Sequence, residues 1–509
     1  AKGIYAHPYW HAAKRRNCLP GDSEVKLADG TTKRLEKLFD DAKDEEVADA
    51  MGTVQKEIDL DVLSMNDERE MSKSKASKVI RTPAQEHKLE FKTASGREIE
   101  VFPDHRVRTS EGIKRAREIE EDDELFAPLN LDIDTVQKQN FDLLEYLSNS
   151  EEVMVRGVGE TVENAIDDLG GLKKASKELG FDTKKTLGNY KYRGSIPLEV
   201  LKELIRLSDT ELIEEEAKLA AKRDNVEIPA NISVDSDLMR LIGYYLAEGY
   251  TRKSEKIGEQ FYQICFAYGE EKLKDNICEC LERVFGVSPS VEENTITLSS
   301  RLAYEFLSSL NAGTDAHNKR IPKQIKKMPK ERLRPLLAAY FAGDGSVEKG
   351  RLHVDATSVS RRLLDDIDML LKRFGIFARY SSSERKAGGI LLDKYGEGHY
   401  EGRTFESHKL HIRSSHAVAF GKKIGFDLDR KQQALENSYS MERKPRLDID
   451  NDVVLDRVEE IETKKAEERF MYDIEVEETH NFVTQDNLIT NNCDGDEDAI
   501  LLLMDGLLN

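Results

Sequence analysis

Near both ends of the chain, apolar and polar residues alternate with a period of two over short runs that turn residues interrupt. Val25-Lys26-Leu27 is followed by Asp29-Gly30, then by Val62-Leu63-Ser64-Met65, Leu89-Glu90-Phe91 and Ile99-Glu100-Val101; the same grammar returns from Val453 to Ile461 and from Met471 to Val476. These patterns predict two β-rich blocks that flank the middle of the chain. From about Leu129 to Ala230 the pattern is charged and reads as helical. Within it, Gly170 to Phe181 predicts a helix stopped at Gly180, and a second helix starts from a cap near Asp182 or Thr183 and runs to Lys191. That is a helix-turn-helix outline. The stretch from Thr357 to Ile376 reads as strand, turn and helix.

Two apolar helices stand out between these regions. The first contains Leu241-Ile242-Gly243-Tyr244-Tyr245-Leu246-Ala247-Glu248-Gly249, and 96 residues later the second contains Leu337-Ala338-Ala339-Tyr340-Phe341-Ala342-Gly343-Asp344-Gly345. In each, small residues four apart (Gly243 and Ala247; Ala339 and Gly343) allow two helix backbones to approach closely. An acid sits at each helix end just before a glycine, so close packing would deliver Glu248 and Asp344 side by side. One such stretch alone reads equally well as a buried helix with a glycine cap; the pair is what points to chemistry.

Composition narrows the picture. A chain of 509 residues is long enough for two or three domains. The balance of 98 acidic against 77 basic residues, a formal charge of −21, argues against a surface given over to nucleic acid as a whole, so DNA contact would need local basic patches. Six lysines between Lys173 and Lys191 form one such patch, which fits a DNA-contacting module or a helical hairpin with a solvated face. Arg379, Lys386, Arg403, Lys409 and Arg413 form another, interspersed with apolar positions. The five cysteines (Cys18, Cys265, Cys278, Cys280, Cys493) show no metal-ligand spacing, and Cys278-x-Cys280 reads as helix packing. A reducing cytoplasm is expected, with no membrane span and no signal peptide.

The chemistry is written at the two ends. A side-chain amide beside a peptide bond can cyclise onto its own carbonyl and cut the backbone, and Asn491-Asn492-Cys493 sets such an amide before a competent acyl acceptor. Its counterpart is Cys18, opening Cys18-Leu19-Pro20-Gly21-Asp22-Ser23. With Tyr472-Asp473-Ile474-Glu475-Val476 and His480-Asn481-Phe482-Val483, these residues resemble the two termini of an intein. The resemblance implies the all-β Hint fold of inteins and hedgehog autoprocessing domains. It further implies that Cys18 forms the first thioester with His105 as acid, that Asp473 tunes the thiols, that Cys493 accepts the acyl group, and that Asn492 cyclises with support from His480. Two positions depart from the family: Phe102 stands where Thr-x-x-His usually begins, and Asn491 stands where histidine often precedes the terminal asparagine. Asparagine orients a carbonyl but carries no proton at neutral pH.

The paired helices resemble those of LAGLIDADG homing endonucleases, which implies an α+β domain with pseudo-twofold repeats, Glu248 and Asp344 as ligands of Mg2+, Lys319 of Asn318-Lys319-Arg320-Ile321-Pro322 in the site, and double-stranded DNA as substrate. Joining the flanks sets Asn17 before Cys493-Asp494-Gly495-Asp496, which resembles the metal loop of the large subunit of archaeal family D DNA polymerase. Asp494 and Asp496 would then hold metal only after splicing, with the polymerase small subunit as partner of the spliced host, and the DNA target would be the uninterrupted host gene. The expected organisation is a multidomain chain: host flank 1–17, Hint 18–127, helical DNA-recognition region 128–235, endonuclease 236–438, Hint 439–492 and host flank 493–509, acting as a monomer. The alternatives are an element that splices but whose endonuclease has decayed to a DNA-binding module, a regulatory DNA-binding module without catalysis, and a mere polymerase fragment.

Overall fold

The computed structural model describes residues 18–43, 45–47, 52–150, 152–211, 217–222, 224–256, 260–386, 404–441 and 447–492. Both flanks, and with them Cys493, Asp494 and Asp496, lie outside the described residues, as does Arg403. The chain forms two compact units, one drawn from 1–135, 347–423 and 435–509, the other from 136–346 and 424–434. These units divide the chain differently from the expected domain boundaries, because 347–423 groups with the two β-rich blocks.

In the first unit the blocks interleave. One antiparallel sheet runs Leu19–Pro20, Phe470–Val476, Met71–Pro83, Val54–Met65, Glu45–Val47. A second runs Gly112–Arg115, Arg106–Thr109, Glu124–Pro128, Val453–Lys465, His87–Thr93, Glu98–Val101. Strand Val453–Lys465 pairs with Glu124–Pro128 along its first half and with His87–Thr93 along its second, so the C-terminal block completes ladders that the N-terminal block leaves open. Alternate residues of these strands, among them Val62, Val79, Phe91, Val101, Ile474 and Val476, make one buried core.

In the second unit, helix α1 (Ser236–Glu248) starts from Asp235, whose carboxylate accepts the N–H groups of Asp237 and Leu238. Helix α2 (Lys330–Gly343) packs against it. The region expected to be helical is a mixture. It holds helices Gly159–Asp168, Leu172–Glu178, Lys184–Arg193 and Leu198–Leu207, and also a sheet ordered Ser195–Pro197, Val153–Arg156, Lys218–Ala221, Glu227–Pro229. The strands are too short for a period of two to show through the surrounding charge. Gly180, at φ +73°, separates the second and third of these helices, and Thr183 occupies the N-cap position without a capping side-chain bond.

After α1 the chain runs strand, strand, helix, strand, strand, helix, from Gly249–Ser254 to Arg301–Ser309. After α2 the same order recurs among the described residues: Gly345–Val347, β1 (His353–Ser358), α3 (Arg361–Lys372), β2 (Arg379–Lys386), β3 (Thr404–Arg413) and helix Ser415–Lys423. Strand β3 lies between β1 and β2. Within the first unit, α3 and β2 are built onto the strands of the two β-rich blocks. Tyr380 N–H donates to the Ser95 carbonyl at 2.6 Å, and Gly96 sits at φ +74° where a Cβ would stand 2.4 Å from the Tyr380 oxygen, so only glycine fits that turn.

Asp368 of α3 closes this arrangement. It accepts from Arg97 Nη2 at 2.8 Å, from Lys372 Nζ at 2.9 and 2.8 Å, and from Asn487 Nδ2 at 2.8 Å, and all four residues are fully buried. Burial alone would raise the Asp368 carboxyl, but the charges of Lys372 and Arg97 outweigh it and hold the group below the usual carboxylate range. Burial, then the neighbouring Arg97, pushes Lys372 down to about 7. Removing the anion would leave two buried cations facing each other. Asp368→Ala is therefore expected to lower unfolding stability by about 3–5 kcal/mol, read from urea denaturation; a loss within experimental error would show that the cluster holds nothing together.

Among the described residues, no helix is long and apolar enough to cross a membrane.

Candidate functional site

The first site forms where the two β-rich blocks meet. Leu19 pairs with Tyr472 and Pro20 with Met471, and continuing that register by one residue sets Cys18 across from Asp473. The Phe102 N–H donates to the Cys18 carbonyl at 3.3 Å, and Cys18, Phe102 and Met471 pack as a small buried cluster. The Phe102 ring thus walls the thiol with hydrocarbon, and the residue contributes a backbone donor but no hydroxyl. Two residues after Pro103, His105 is fully buried, and its Nε2 lies 2.5 Å from Thr490 Oγ1, which ties the N-terminal block to the last strand. Burial pushes this imidazole down to about 3, so it is neutral at pH 7. Its Nδ1 has no hydrogen-bond partner among the described residues.

The C-terminal side is a short hairpin, Asn481–Val483 against Ile489–Asn491. Asn481 anchors it by accepting from Met65 N–H at 2.8 Å and donating to the carbonyls of Met65 and Thr479. Asn492 is held at both ends: its N–H donates to the His480 carbonyl at 3.0 Å, and its Nδ2 donates to the Val476 carbonyl at 3.1 Å. Asp473 is fully buried and its Oδ1 accepts the Ile474 N–H at 2.7 Å. Asn491 is buried, with an Oδ1 that accepts no hydrogen bond among the described residues. The His480 side chain is exposed and the residue sits at φ +52°. Cys18, His105, Asp473, Asn491 and Asn492 therefore share one buried region, while Cys493 lies outside the described residues. Thr490 carries no signal in the sequence, since a threonine in a short strand is ordinary, and Asn481 appears there only as part of a motif; only the fold puts one against His105 and the other under the hairpin.

The second site lies where α1 and α2 end. A Cβ on Gly243 would come within 2.3 Å of the Leu336 oxygen, and one on Gly343 within 2.6 Å of Ala247 Cβ, so the glycines are what permit this helix contact. Glu248 ends α1 and Asp344 follows α2 directly. Desolvation first, then the negative charge of Glu248, pushes Asp344 up to about 8; desolvation also raises Glu248 against the pull of Lys319 and Lys431. Lys319, buried, donates to the Ala247 carbonyl at 3.0 Å, and burial lowers its pKa. Lys431 went unnoticed in the sequence, being one cation in a charged helix. It caps the end of α2, donating to the Gly345 carbonyl at 2.6 Å and the Gly343 carbonyl at 3.2 Å, and its charge acts on both acids.

A family model described as an intein splicing domain matches residues 25–492. The chain is 33% identical over 532 residues to the DNA polymerase II large subunit of Thermococcus kodakarensis, an alignment that covers 99% of this chain and 28% of that protein. It therefore spans less than a third of this polymerase subunit. Among solved structures, the PabCDC21-1 intein is 22% identical with 23% of this chain and 77% of that one covered at a TM-score of 0.22. A mesophilic variant of the homing endonuclease I-DmoI is 14% identical, with 38% and 96% covered at a TM-score of 0.27. Neither structural likeness is deep enough to bear on function. The family match runs through nearly all the described residues and ends on Asn492, and this chain belongs to the intein splicing-domain family.

Proposed function

We propose that the chain excises itself by autocatalytic acyl transfer. The observation that carries this is the convergence of Cys18, His105, Asp473 and Asn492 in one dry region, within hydrogen-bonded frames that fix the backbone at both junctions. Cys18 attacks the carbonyl of Asn17, its thiol proton passing to the neutral His105, which returns a proton to the Cys18 nitrogen as that nitrogen leaves, and the amide becomes a thioester. Thr490 fixes the ring that delivers the proton. Cys493 takes the acyl group by thioester exchange, with Asp473 tuning the two thiols. Asn492 Nδ2 then attacks the main-chain carbonyl of Asn492, breaking the bond to Cys493 and leaving a succinimide. The hydrogen bond to the Val476 carbonyl orients that nitrogen, and His480 moves the proton. The ligated thioester rearranges to an amide by attack of the freed Cys493 nitrogen. The host is a DNA polymerase II large subunit; excision would reunite Asn17 with Asp494 and Asp496, restoring a metal loop that the insert splits.

The same reading gives the middle of the chain to a homing endonuclease with pseudo-twofold repeats, cutting both strands of the uninterrupted host gene. Two half-buried carboxylates at adjoining helix ends, one of them pushed up by burial and then by the charge of the other, suit a divalent cation. Glu248 and Asp344 would hold Mg2+, which supplies an activated water and charge stabilisation at the scissile phosphates. Lys319 and Lys431 hold positive charge beside them. The exposed lysines Lys173, Lys174, Lys177, Lys184 and Lys185 make helices Leu172–Glu178 and Lys184–Arg193 the DNA-recognition module.

The first test is intact mass against time after expression: a species lacking both flanks together with a 34-residue ligated peptide is expected, and an uncut chain would oppose the splicing reading. Asn491→His is expected to speed cleavage at the C-terminal junction by about tenfold, by restoring a proton carrier; unchanged kinetics would count against a limiting role for Asn491. Glu248→Gln and Asp344→Asn are each expected to lower Mg2+-dependent cleavage of plasmid carrying the uninterrupted gene by at least about a hundredfold while leaving splicing intact. A native chain that binds this DNA and never cuts it would favour the decayed alternative.

His105 also sets a pH dependence. Its unfolded imidazole takes up a proton near 6.5 and the folded one only near 3, so between those values the unfolded state binds more protons. Stability from this group is full above about pH 6.5 and falls as pH drops, by about 1.4 kcal/mol per unit. The slope of urea midpoint against pH from 6.5 to 5 is expected to be shallower in His105→Asn; an equal slope would place the burial penalty elsewhere.

A further inference from the structure

The face of the β1–β3–β2 sheet that carries Arg379, Lys409 and Arg413 also carries a donor cluster that the steps described above do not use. His353 and Asp355 are two residues apart on β1 and so point to the same side, and Asp355 pairs in register with His411 of β3. His353 Nε2 lies 3.0 Å from His411 Nδ1 and 4.0 Å from Asp355 Oδ2, and one donor atom from each residue falls within 4.8 Å of the other two. We propose that His353, Asp355 and His411 bind a divalent transition ion of the Zn2+ class.

Three features of the geometry support this. Donors around a tetrahedral zinc ion stand about 3.3 Å apart, which the 3.0 and 4.0 Å separations bracket. Two imidazoles and one carboxylate are the donors such an ion prefers, whereas Mg2+ seeks oxygen, so the site is chemically distinct from the Glu248 and Asp344 pair. Each imidazole is also held from behind. His353 Nδ1 meets Glu348 Oε2 at 3.0 Å, and His411 Nε2 meets Ser381 Oγ at 2.8 Å. A carboxylate behind a histidine fixes the tautomer that presents Nε2 as a lone pair and makes it a stronger ligand. Lys409 approaches the other oxygen of Asp355, Oδ1, at 3.8 Å, leaving Oδ2 towards the histidines. Arg379 pairs with His411, and Arg413 with His353, in the ladder. A bound ion would tie β1 to β3 and leave one position open for water. The same two rings could instead share a single proton, and binding experiments separate the two.

The full chain, freed of metal by dialysis against a chelator, is titrated with ZnCl2 and CoCl2; all three ligands remain in one piece whether or not splicing occurs. The native chain is expected to bind one more equivalent of Zn2+ than His353→Gln or His411→Gln, and to show a Co2+ ligand-field absorption that both variants lose. Cysteine thiols contribute equally to all of these and cancel in the difference. Zn2+ should raise the melting temperature of the native chain and not of His411→Gln. Glu348→Gln should retain the equivalent with affinity lowered about 10–100-fold, and this milder change decides the matter if a histidine variant fails to fold. The double variant Glu248→Gln/Asp344→Asn should retain it unchanged. Equal Zn2+ stoichiometry and the same Co2+ spectrum in native and His411→Gln chains would overturn the proposal and leave the rings joined by a shared proton.

Discussion

A single buried carboxylate, Asp368, binds together three segments that are far apart in the chain. Arg97 comes from the turn before strand Glu98–Val101, Asn487 from the turn inside the C-terminal hairpin, and Lys372 from α3 itself. Taking such charges out of water costs more than one ion pair returns, so the cluster is tolerable only because two cations and an amide satisfy the one anion together. That requirement is strict in geometry, and its strictness is its use. The turn at Ser95 to Arg97 leads directly to Phe102 and His105, and the turn at Asn487 leads directly to Thr490 and Asn492. Helix α3 therefore braces both sides of the splice cluster from within the first unit.

This brace accounts for why residues 347–423 group with the β-rich blocks. Strand β2 reaches the same turn through the Tyr380 to Ser95 hydrogen bond, and Phe377 enters the core formed by Phe91, Val101 and Ile474. The turn is held from the other side by Asp456, which accepts from Thr93 Oγ1 at 2.7 Å and from the Ser95 N–H at 3.0 Å. A segment that follows α2 directly in the chain is, in packing terms, part of the first unit's β-rich fold.

The two candidate sites rest on opposite electrostatic arrangements. Around Cys18 the site is dry, with His105 stripped of its charge by burial and the peptide groups pinned by backbone bonds. The acyl transfer proposed for this site would benefit, because water that would hydrolyse a thioester is kept out. At Glu248 and Asp344 the reverse holds: two acids are brought together by glycine-permitted helix packing, with Lys319 and Lys431 beside them. Acids crowded in this way bind protons or cations more tightly than either would alone.

Local pattern and covalent chemistry were enough to mark Cys18 and Asn492 as candidate reacting ends and to show the two β-rich blocks and the helices ending at Glu248 and Asp344. Each of these announces itself within a few neighbouring residues, through a period of two, small residues four apart, or an amide beside a thiol. The short strands among residues 129–230 were hidden because three or four residues are too few for a period to emerge from charged surroundings. Thr490, Lys431, the Arg97–Asp368–Asn487 cluster and the His353, Asp355 and His411 triad were hidden for another reason. Asp368 lies four residues before Lys372 on a charged helix and reads as a solvated pair, and His353 and His411 read as isolated polar residues on strands. Their partners are tens to hundreds of residues away, and burial is what gives them their character. The sequence by itself determined which groups carry reactive chemistry and which strongly patterned segments are strands or helices; the tertiary structure decided which charges leave water and whom they meet, because desolvation and long-range pairing exist only once the chain has folded.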